Sequence, residues 1–145
     1  MAQVDPRALI AQVQAIEAQI NKLQGILAEL TATRDNIHRS KQSIEAIAST
    51  EEPVLAPLDP NMNAIALVEA KDRDRFLVHL GMGIYARLPR EKALKILEEK
   101  EERVSRSISE ATKQLKDLTS LYEQYQALLQ QLALAQQAQA RQGSQ

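Results

Sequence analysis

The chain has 145 residues but only four glycines, one Phe and no Trp, so its composition argues against a single compact globular core. Its 18 Lys and Arg residues against 19 Asp and Glu residues leave a net charge of −1, which argues against a surface for nucleic acid or anionic membranes. The absence of cysteine excludes disulfides and thiolate metal sites. No stretch reaches about 18 apolar residues and no signal-sequence pattern is visible, so we expect a soluble cytoplasmic protein.

A first helix is predicted over residues 5–50. Asp5 and Pro6 suit the N-cap and the first helical position, and Pro53 sets the latest end, because proline lacks the N–H that a helix uses. Between these limits the apolar residues are spaced by four and three, as in a coiled coil. The predicted seam positions, two of them charged, are Leu9, Val13, Ile16, Ile20, Leu23, Leu27, Leu30, Arg34, Ile37, Lys41, Ile44 and Ala48.

The segment 53–88 has the pattern of two β-hairpins. In its second half, "RFLVHL" and "IYARL" are each predicted to form a strand whose successive side chains point to opposite faces. Gly81 and Gly83 flank a tight reversal between these strands. Its first half places "VLAPLD" and "AIALVEA" on either side of the turn formers "PNMN". Pro57 removes a hydrogen-bond donor from the first strand, so we expect that strand to lie at an edge or to carry a bulge.

A second helix is predicted over residues 89–138, starting at Pro89. The same four and three spacing continues along it, and the segment 139–145 is expected to form a frayed tail because it has few apolar residues and includes Gly and Ser. The predicted seam positions are Leu94, Leu97, Glu101, Val104, Ile108, Ala111, Leu115, Leu118, Tyr122, Tyr125, Leu129 and Leu132.

The similar lengths of the two helices favour an antiparallel coiled coil within one chain. The heptads allow two registers, in which the numbers of facing residues sum to either 138 or 145, and the sequence does not choose between them. Arg34, Lys41 and Glu101 fall in neighbouring layers near the hairpins. A polar seam residue costs stability but fixes alignment, so alignment is the favoured interpretation of these three and catalysis is the alternative.

Four short strands in fewer than about 40 residues bury too little surface to be stable alone, and their free edges favour pairing with other chains. We therefore predict that the segment 53–88 is an assembly interface and that the coiled coil projects from it. The predicted assembly residues are Val54, Leu55, Leu58, Ile65, Leu67, Phe76, Val78, Leu80, Gly81, Gly83, Ile84 and Tyr85.

The order of these elements resembles the prefoldin family, and specifically its α-class subunits of archaeal type. The resemblance covers nearly the whole chain and depends on the order helix, two hairpins, helix, on "FLVHLGMGIYARL", and on "PVLAPL" after the first helix. The β-class subunits carry one hairpin. The first turn departs from the family, because Asp59 and Asn61 stand where members commonly have glycines.

The resemblance implies an α+β fold, a long antiparallel two-helix coiled coil with two β-hairpins inserted between the helices. It also implies a hexamer of two α and four β subunits, in which the strands form an oligomeric β-barrel body and six coiled coils extend from it. Such a particle would bind unfolded proteins without ATP and pass them to a group II chaperonin.

The ends of the helices give independent grounds for client binding. In an antiparallel coiled coil both termini lie at one end, and apolar residues occur there outside the seam as well as in it. Several weakly binding ends on one particle would add avidity, although such residues can also simply widen the packed stripe. The arm-end residues, predicted to bind clients, are Leu9, Ile10, Val13, Leu128, Leu129, Leu132 and Leu134.

Other chemistry is not indicated. His38 and His79 lie in different elements without further metal ligands, the sequence has no GxxxxGK[ST] loop for nucleotide, and a two-helix arm offers no enclosed site for paired carboxylates. We predict no enzyme activity, no metal and no cofactor. The alternative to a chaperone subunit is a structural coiled-coil protein that self-assembles through the same strands into a filament or spacer.

Overall fold

A computed structural model describes residues 5–143 of the chain. The predicted order of elements is confirmed. Helix α1 covers Pro6–Ser49 and helix α2 covers Arg90–Gly143, and four strands lie between them: β1 Val54–Pro57, β2 Ile65–Val68, β3 Arg75–Gly81 and β4 Ile84–Pro89.

Helix α1 begins as its sequence predicts. The backbone N–H of Arg7 donates to Oδ1 of Asp5 over 3.0 Å, which satisfies one of the N–H groups that the first turn leaves without a helical partner. Pro6 is the first helical residue, where its missing N–H costs nothing. The helix ends at Ser49, ahead of Pro53.

Helix α2 extends further than predicted. It starts at Arg90, directly after Pro89, and continues to Gly143 instead of ending at 138, so residues 139–143 of the expected tail are helical. Residues 144 and 145 lie outside the described part of the chain. The extension is rich in Ala and Gln, which are good helix formers, and every residue from Ala133 to Gly143 is exposed. The helix propensity of these residues, and not burial, therefore stabilises this last segment.

The chain divides into two compact units, and each helix contributes to both. The helical unit combines the residues up to Thr31 with those from Arg106 onward. Its buried residues, Leu9, Val13, Ile16 and Ala111, all occupy predicted seam positions. The heptad pattern therefore identified the packed stripe of this unit correctly.

The hairpin unit, Ala32–Ser105, contains all four strands. Strands β1 and β2 form one antiparallel pair, and β3 and β4 form another. The second pair has an irregularity between His79 and Gly81. The core of the unit consists of Ile44 from α1, Val78 from β3, and Ala93 and Leu97 from α2. The second hairpin is thus packed on both helices.

Glu101 joins the two helices within the hairpin unit. Its Oε2 lies 3.3 Å from Nζ of Lys41, and its Oε1 lies 4.0 Å from Nδ1 of His38. The two registers left open by the sequence pair Glu101 with Ile37 or with Ile44. Its observed partners place Glu101 level with the turn between those two residues. Ile44 of α1 packs in one cluster with Leu97 of α2, so residue numbers fall on α1 as they rise on α2, and the helices are antiparallel here.

We predict that Gly25→Ala stabilises the chain. Gly25 lies within α1, and a Cβ added there meets no atom within 4 Å. Alanine should therefore raise the free energy of unfolding by about 1 kcal/mol through helix propensity alone, measured by urea unfolding.

Gly83→Ala is the matched control, for which we expect a decrease in the free energy of unfolding. A Cβ at Gly83 also meets nothing within 4 Å, but the backbone there has φ +74°, where an L side chain costs about 1–2 kcal/mol. Destabilisation by Gly25→Ala would show that this glycine is required for a reason other than space.

Candidate assembly and client-binding surfaces

The first hairpin has an exposed apolar face. Leu55 on β1 faces Leu67 on β2, and their side chains are 69% and 70% exposed. Ile65 on β2 continues this face and is also exposed. Leu58 is exposed as well, but it follows β1 and is not part of the strand. Val54, the remaining predicted assembly residue here, is half-buried. We call Leu55, Ile65 and Leu67 the hairpin-1 face.

The second hairpin uses its two faces differently. Phe76 and Val78 were predicted to serve assembly, but the structure packs them into the core of the subunit itself. The neighbouring Leu77 points the other way and is 70% exposed, and the sequence analysis did not select it. The reason is that both faces of β3 carry apolar residues, so alternation shows two faces without showing which one meets the helices.

The remaining predicted residues of the second hairpin lie at or beside its turn. Leu80, Ile84 and Tyr85 are exposed, and Gly81 and Gly83 adopt positive φ of 117° and 74°. These φ values explain why glycine stands at both positions. The exposed residues and Leu77 form an apolar surface at this end of the hairpin.

The first turn is held by the carboxylate of Asp59. Oδ1 of Asp59 accepts from the N–H of Asn61 over 2.8 Å, and Oδ2 accepts from the N–H of Asn63 over 3.1 Å. Met62 lies between these two residues with φ 56°, in the left-handed region. Asp59 therefore stabilises this turn locally, since Asp side chains hold turns through such bonds to the following backbone.

Arg73 fixes the connection between the helix and the hairpins. Its Nη1 donates to the carbonyl oxygen of Ile47 over 3.2 Å, near the end of α1, and its Nη2 donates to that of Glu52 over 2.8 Å. A single guanidinium thus ties the loop between the hairpins to the end of α1 and to the segment that enters β1. The fork of guanidinium N–H groups suits such a two-point contact.

Asp72 closes the other side of the same loop. Its Oδ1 accepts from the N–H groups of Asp74 and Arg75 over 2.9 and 3.1 Å, and its Oδ2 accepts from Nη2 of Arg87 on β4 over 2.6 Å. The bond from the backbone of Asp74 and the bond from Arg87 both favour the charged form, so the pKa of Asp72 is lowered from its ordinary value of 3.8.

The arm-end residues fall into three groups. Leu9 and Val13 are buried in the seam, and Leu128, Leu129 and Leu132 are half-buried. Ile10 and Leu134 are 46% and 65% exposed. Among the predicted client contacts these two side chains present the most apolar surface to solvent while both helices stay intact.

The described residues do not form a metal-ligand cluster. Within residues 5–143, no group of three or more His, Cys, Asp or Glu side chains is placed to hold a metal ion, and no charged or polar side chain is buried. His79 lies against the ring of Tyr85 with centroids 5.0 Å apart, and His38 lies near Glu101.

Across the described part of the chain, neither helix has a stretch both long and apolar enough to cross a membrane.

Comparison with known proteins agrees with this architecture. The family model for "Prefoldin subunit" matches residues 9–135. The chain belongs to the prefoldin family. A prefoldin subunit alpha from Aeropyrum pernix is 36% identical over 134 residues, which cover 92% of this chain and 89% of the relative. One from Saccharolobus solfataricus is 32% identical over 133 residues, covering 92% and 88%.

A solved structure has the same fold. The structure of a filamentous prefoldin from Methanocaldococcus jannaschii aligns with a TM-score of 0.66 at 24% identity and covers 79% of this chain and 95% of its own. The expected α class and α+β fold are thus confirmed. Two antiparallel strand pairs lie between two long helices along the chain. Prefoldin is a family of chaperone subunits and not of enzymes, and its subunits assemble with one another.

We predict that Asp72→Asn destabilises the hairpin unit in a pH-dependent way. Because the folded pKa lies below the ordinary 3.8, the carboxylate adds stability above that pH and loses it as the pH falls through the folded pKa. The variant should therefore be less stable than the parent at neutral pH, and the difference should shrink in acid. Chemical unfolding between pH 7 and pH 2 measures both.

Arg87→Gln serves as the control. It removes the charged partner but leaves the bonds from the backbone of Asp74 and Arg75. The pH-dependent part of its loss of stability should therefore be smaller than that of Asp72→Asn. A stability difference that stays constant across the pH range would contradict this account of Asp72.

Proposed function

We propose that this chain is a subunit of an ATP-independent holding chaperone in the cytoplasm, which binds unfolded polypeptides at its arm ends and passes them to a group II chaperonin. Membership of the prefoldin family supports the class of activity. The observation that carries the site is the exposure of Ile10 on α1 and Leu134 on α2.

The structure refines which arm-end residues do the binding. Leu9 and Val13 are already buried by the partner helix, so using them for a client would require the helices to separate. Ile10 and Leu134 need no such step. Burying an aliphatic side chain fully is worth about 1.5–3 kcal/mol, so one arm end binds weakly and without sequence preference. The half-buried Leu128, Leu129 and Leu132 add a smaller share.

Avidity then supplies the affinity that one arm lacks. In the proposed particle of two α and four β subunits, several arms face one client, and each contact after the first forms at a high effective concentration. Weak single contacts of this kind dissociate quickly. No nucleotide-binding loop is needed, because transfer to a chaperonin requires only that the client spends part of its time unbound.

Assembly is proposed to use the hairpin-1 face and Leu58 together with Leu77, Leu80, Ile84 and Tyr85. These apolar residues are exposed in the single subunit, and covering them with strands of neighbouring subunits would close a β-barrel body. Neutral strands with free edges are suited to this purpose, since added strands gain main-chain hydrogen bonds as well as apolar contact.

We predict that the double variant Ile10→Ser and Leu134→Ser loses client holding. Each substitution removes at most about 1.5 kcal/mol of contact with the client, so the two together should weaken client binding at one arm by as much as about a hundredfold. Suppression of the aggregation of a chemically denatured client, measured by light scattering with the assembled particle, tests this. Helix content and particle mass should not change, because both positions are exposed.

The matched control is the double variant Ile26→Ser and Leu121→Ser. These residues also belong to the helical unit, one on each helix, and are 38% and 37% exposed. They lie away from the helix ends, so client holding should be retained. If the control loses as much activity as the arm-end variant, or the arm-end variant loses none, the proposed site is wrong.

A self-assembling filament or spacer is the second candidate. The similar structure from Methanocaldococcus jannaschii is a filamentous prefoldin, and exposed hairpin faces could also join identical chains in series. A filament subunit should polymerise alone as its concentration rises. We expect instead that mixing with a β-class prefoldin subunit gives one discrete particle with the mass of two α and four β chains, measured by mass photometry.

Polymerisation that continues in the presence of the β-class subunit would favour the filament. Transfer is tested separately, by adding a group II chaperonin to the particle with bound client and following client release.

A further inference from the structure

The two hairpins are attached to the rest of the hairpin unit in different ways. The second hairpin packs Phe76, Val78 and Leu88 against the buried core of the unit. Among the described residues, neither that core nor the apolar residues packed against it include a residue of β1 or β2. Every residue from Glu51 to Lys71 is exposed or half-buried. The first hairpin therefore does not share the core that holds the second.

Backbone pairing does not join the two hairpins either. Strands β1 and β2 form one two-stranded sheet and β3 and β4 form another, so no ladder of hydrogen bonds runs from the first hairpin to the second. The bonds at the turn of the first hairpin stay within it, from the N–H of Leu58 to the carbonyl oxygen of Ala64 and from the backbone of Asn61 and Asn63 to Asp59. Two short connections, residues 50–53 and 69–74, link this hairpin to the unit.

Arg73 is the side chain that joins these two connections. It lies in the second connection, and its Nη2 donates to the carbonyl oxygen of Glu52 in the first one over 2.8 Å. Its Nη1 donates to the carbonyl oxygen of Ile47, in the last turn of α1, over 3.2 Å. The last carbonyl groups of a helix lack helical partners and attract cations, so a guanidinium suits this place. One planar group thus fixes where the chain leaves for the first hairpin and where it returns.

The residues next to Arg73 hold its backbone on the second hairpin and on α2. Asp72 accepts from Nη2 of Arg87 on β4 over 2.6 Å, and from the N–H of Asp74 over 2.9 Å. The carbonyl oxygen of Asp74 in turn accepts from the N–H of Arg90, the first residue of α2, over 3.0 Å. The guanidinium therefore reaches the first connection from a backbone position that is itself fixed.

We propose that Arg73 is a positioning residue that sets the orientation of the first hairpin relative to the second. It would thereby present the apolar surfaces of both hairpins to neighbouring subunits in one arrangement, so this inference rests on the proposed assembly with other prefoldin subunits. Without the guanidinium, residues 50–53 and 69–71 can rotate, and the first hairpin moves as a unit because its own hydrogen bonds do not involve Arg73. A subunit whose hairpin is in position for only a fraction of the time binds its neighbours with an affinity reduced by that fraction.

Spin labels test the orientation, since the chain has no cysteine of its own. One labelled pair is Gln42→Cys on α1 with Ala64→Cys at the first turn, and the other is Gln42→Cys with Met82→Cys at the second turn. All three side chains are exposed. Full-length labelled chain is diluted in unlabelled chain, so that pulsed electron paramagnetic resonance measures distances within one chain. In Arg73→Ala the first pair should lose its single narrow distance maximum, and the second pair should keep it.

Arg75→Ala is the matched control. It removes a guanidinium of the same charge two residues further along, and among the described residues the Arg75 side chain has no hydrogen-bond or ion-pair partner. Both distance distributions should therefore stay as in the parent.

Assembly gives a second measurement. The concentration of β-class subunit at which half of the chains enter the particle, measured by mass photometry, should rise severalfold for Arg73→Ala and stay unchanged for Arg75→Ala.

Three results would overturn the proposal. The first pair could stay narrow in Arg73→Ala, both pairs could broaden, which would show a general loss of packing in the unit, or assembly could proceed at an unchanged concentration. A parent chain that forms no particle with a β-class subunit would contradict the proposed function instead. The distance measurement needs no partner, so it tests Arg73 in that case as well.

Discussion

The contact on which the hairpin unit depends is the packing of one face of the second hairpin against both helices. Val78 meets Ile44 from α1 and Ala93 and Leu97 from α2, and Phe76 packs against the same cluster. A two-stranded hairpin is at best marginally stable in water. By covering one face, the helices hold the hairpin in place, and its other face is left for partners. The proposed assembly therefore depends on the division of one strand between core and surface.

Periodicity was sufficient to predict the order of elements, the seam of the helical unit and both hairpins. These features depend on patterns that a single chain displays in full: a spacing of four and three, alternation by two, and Pro or Gly at the boundaries. The same patterns did not show which face of the second hairpin packs against the helices. Phe76, Leu77 and Val78 are all apolar, and only the position of the helices decides that Leu77 stays outside.

The sequence analysis also did not predict the polar contacts between distant segments. Arg73 bridges Ile47 and Glu52, and Asp72 reaches Arg87, and each contact joins segments whose approach depends on the complete fold. Asp59 differs, because its partners lie two and four residues away. An Asp followed by Pro and Asn is a recognised turn signal, so the bonds from this side chain to the following backbone could have been predicted.

Obstructed edges and exposed faces have to be considered together in a protein of this kind. An exposed apolar strand edge is an aggregation hazard, and proteins limit it with proline, charge or a covering group. Here Pro57 and Pro89 remove donors from β1 and β4, and the ammonium group of Lys100 donates to the carbonyl oxygen of His79 on β3. The arm ends avoid the problem by another route, because their backbone is satisfied within helices and only isolated side chains face solvent. In the proposed function, contact with clients of any sequence therefore uses side chains and not free backbone groups.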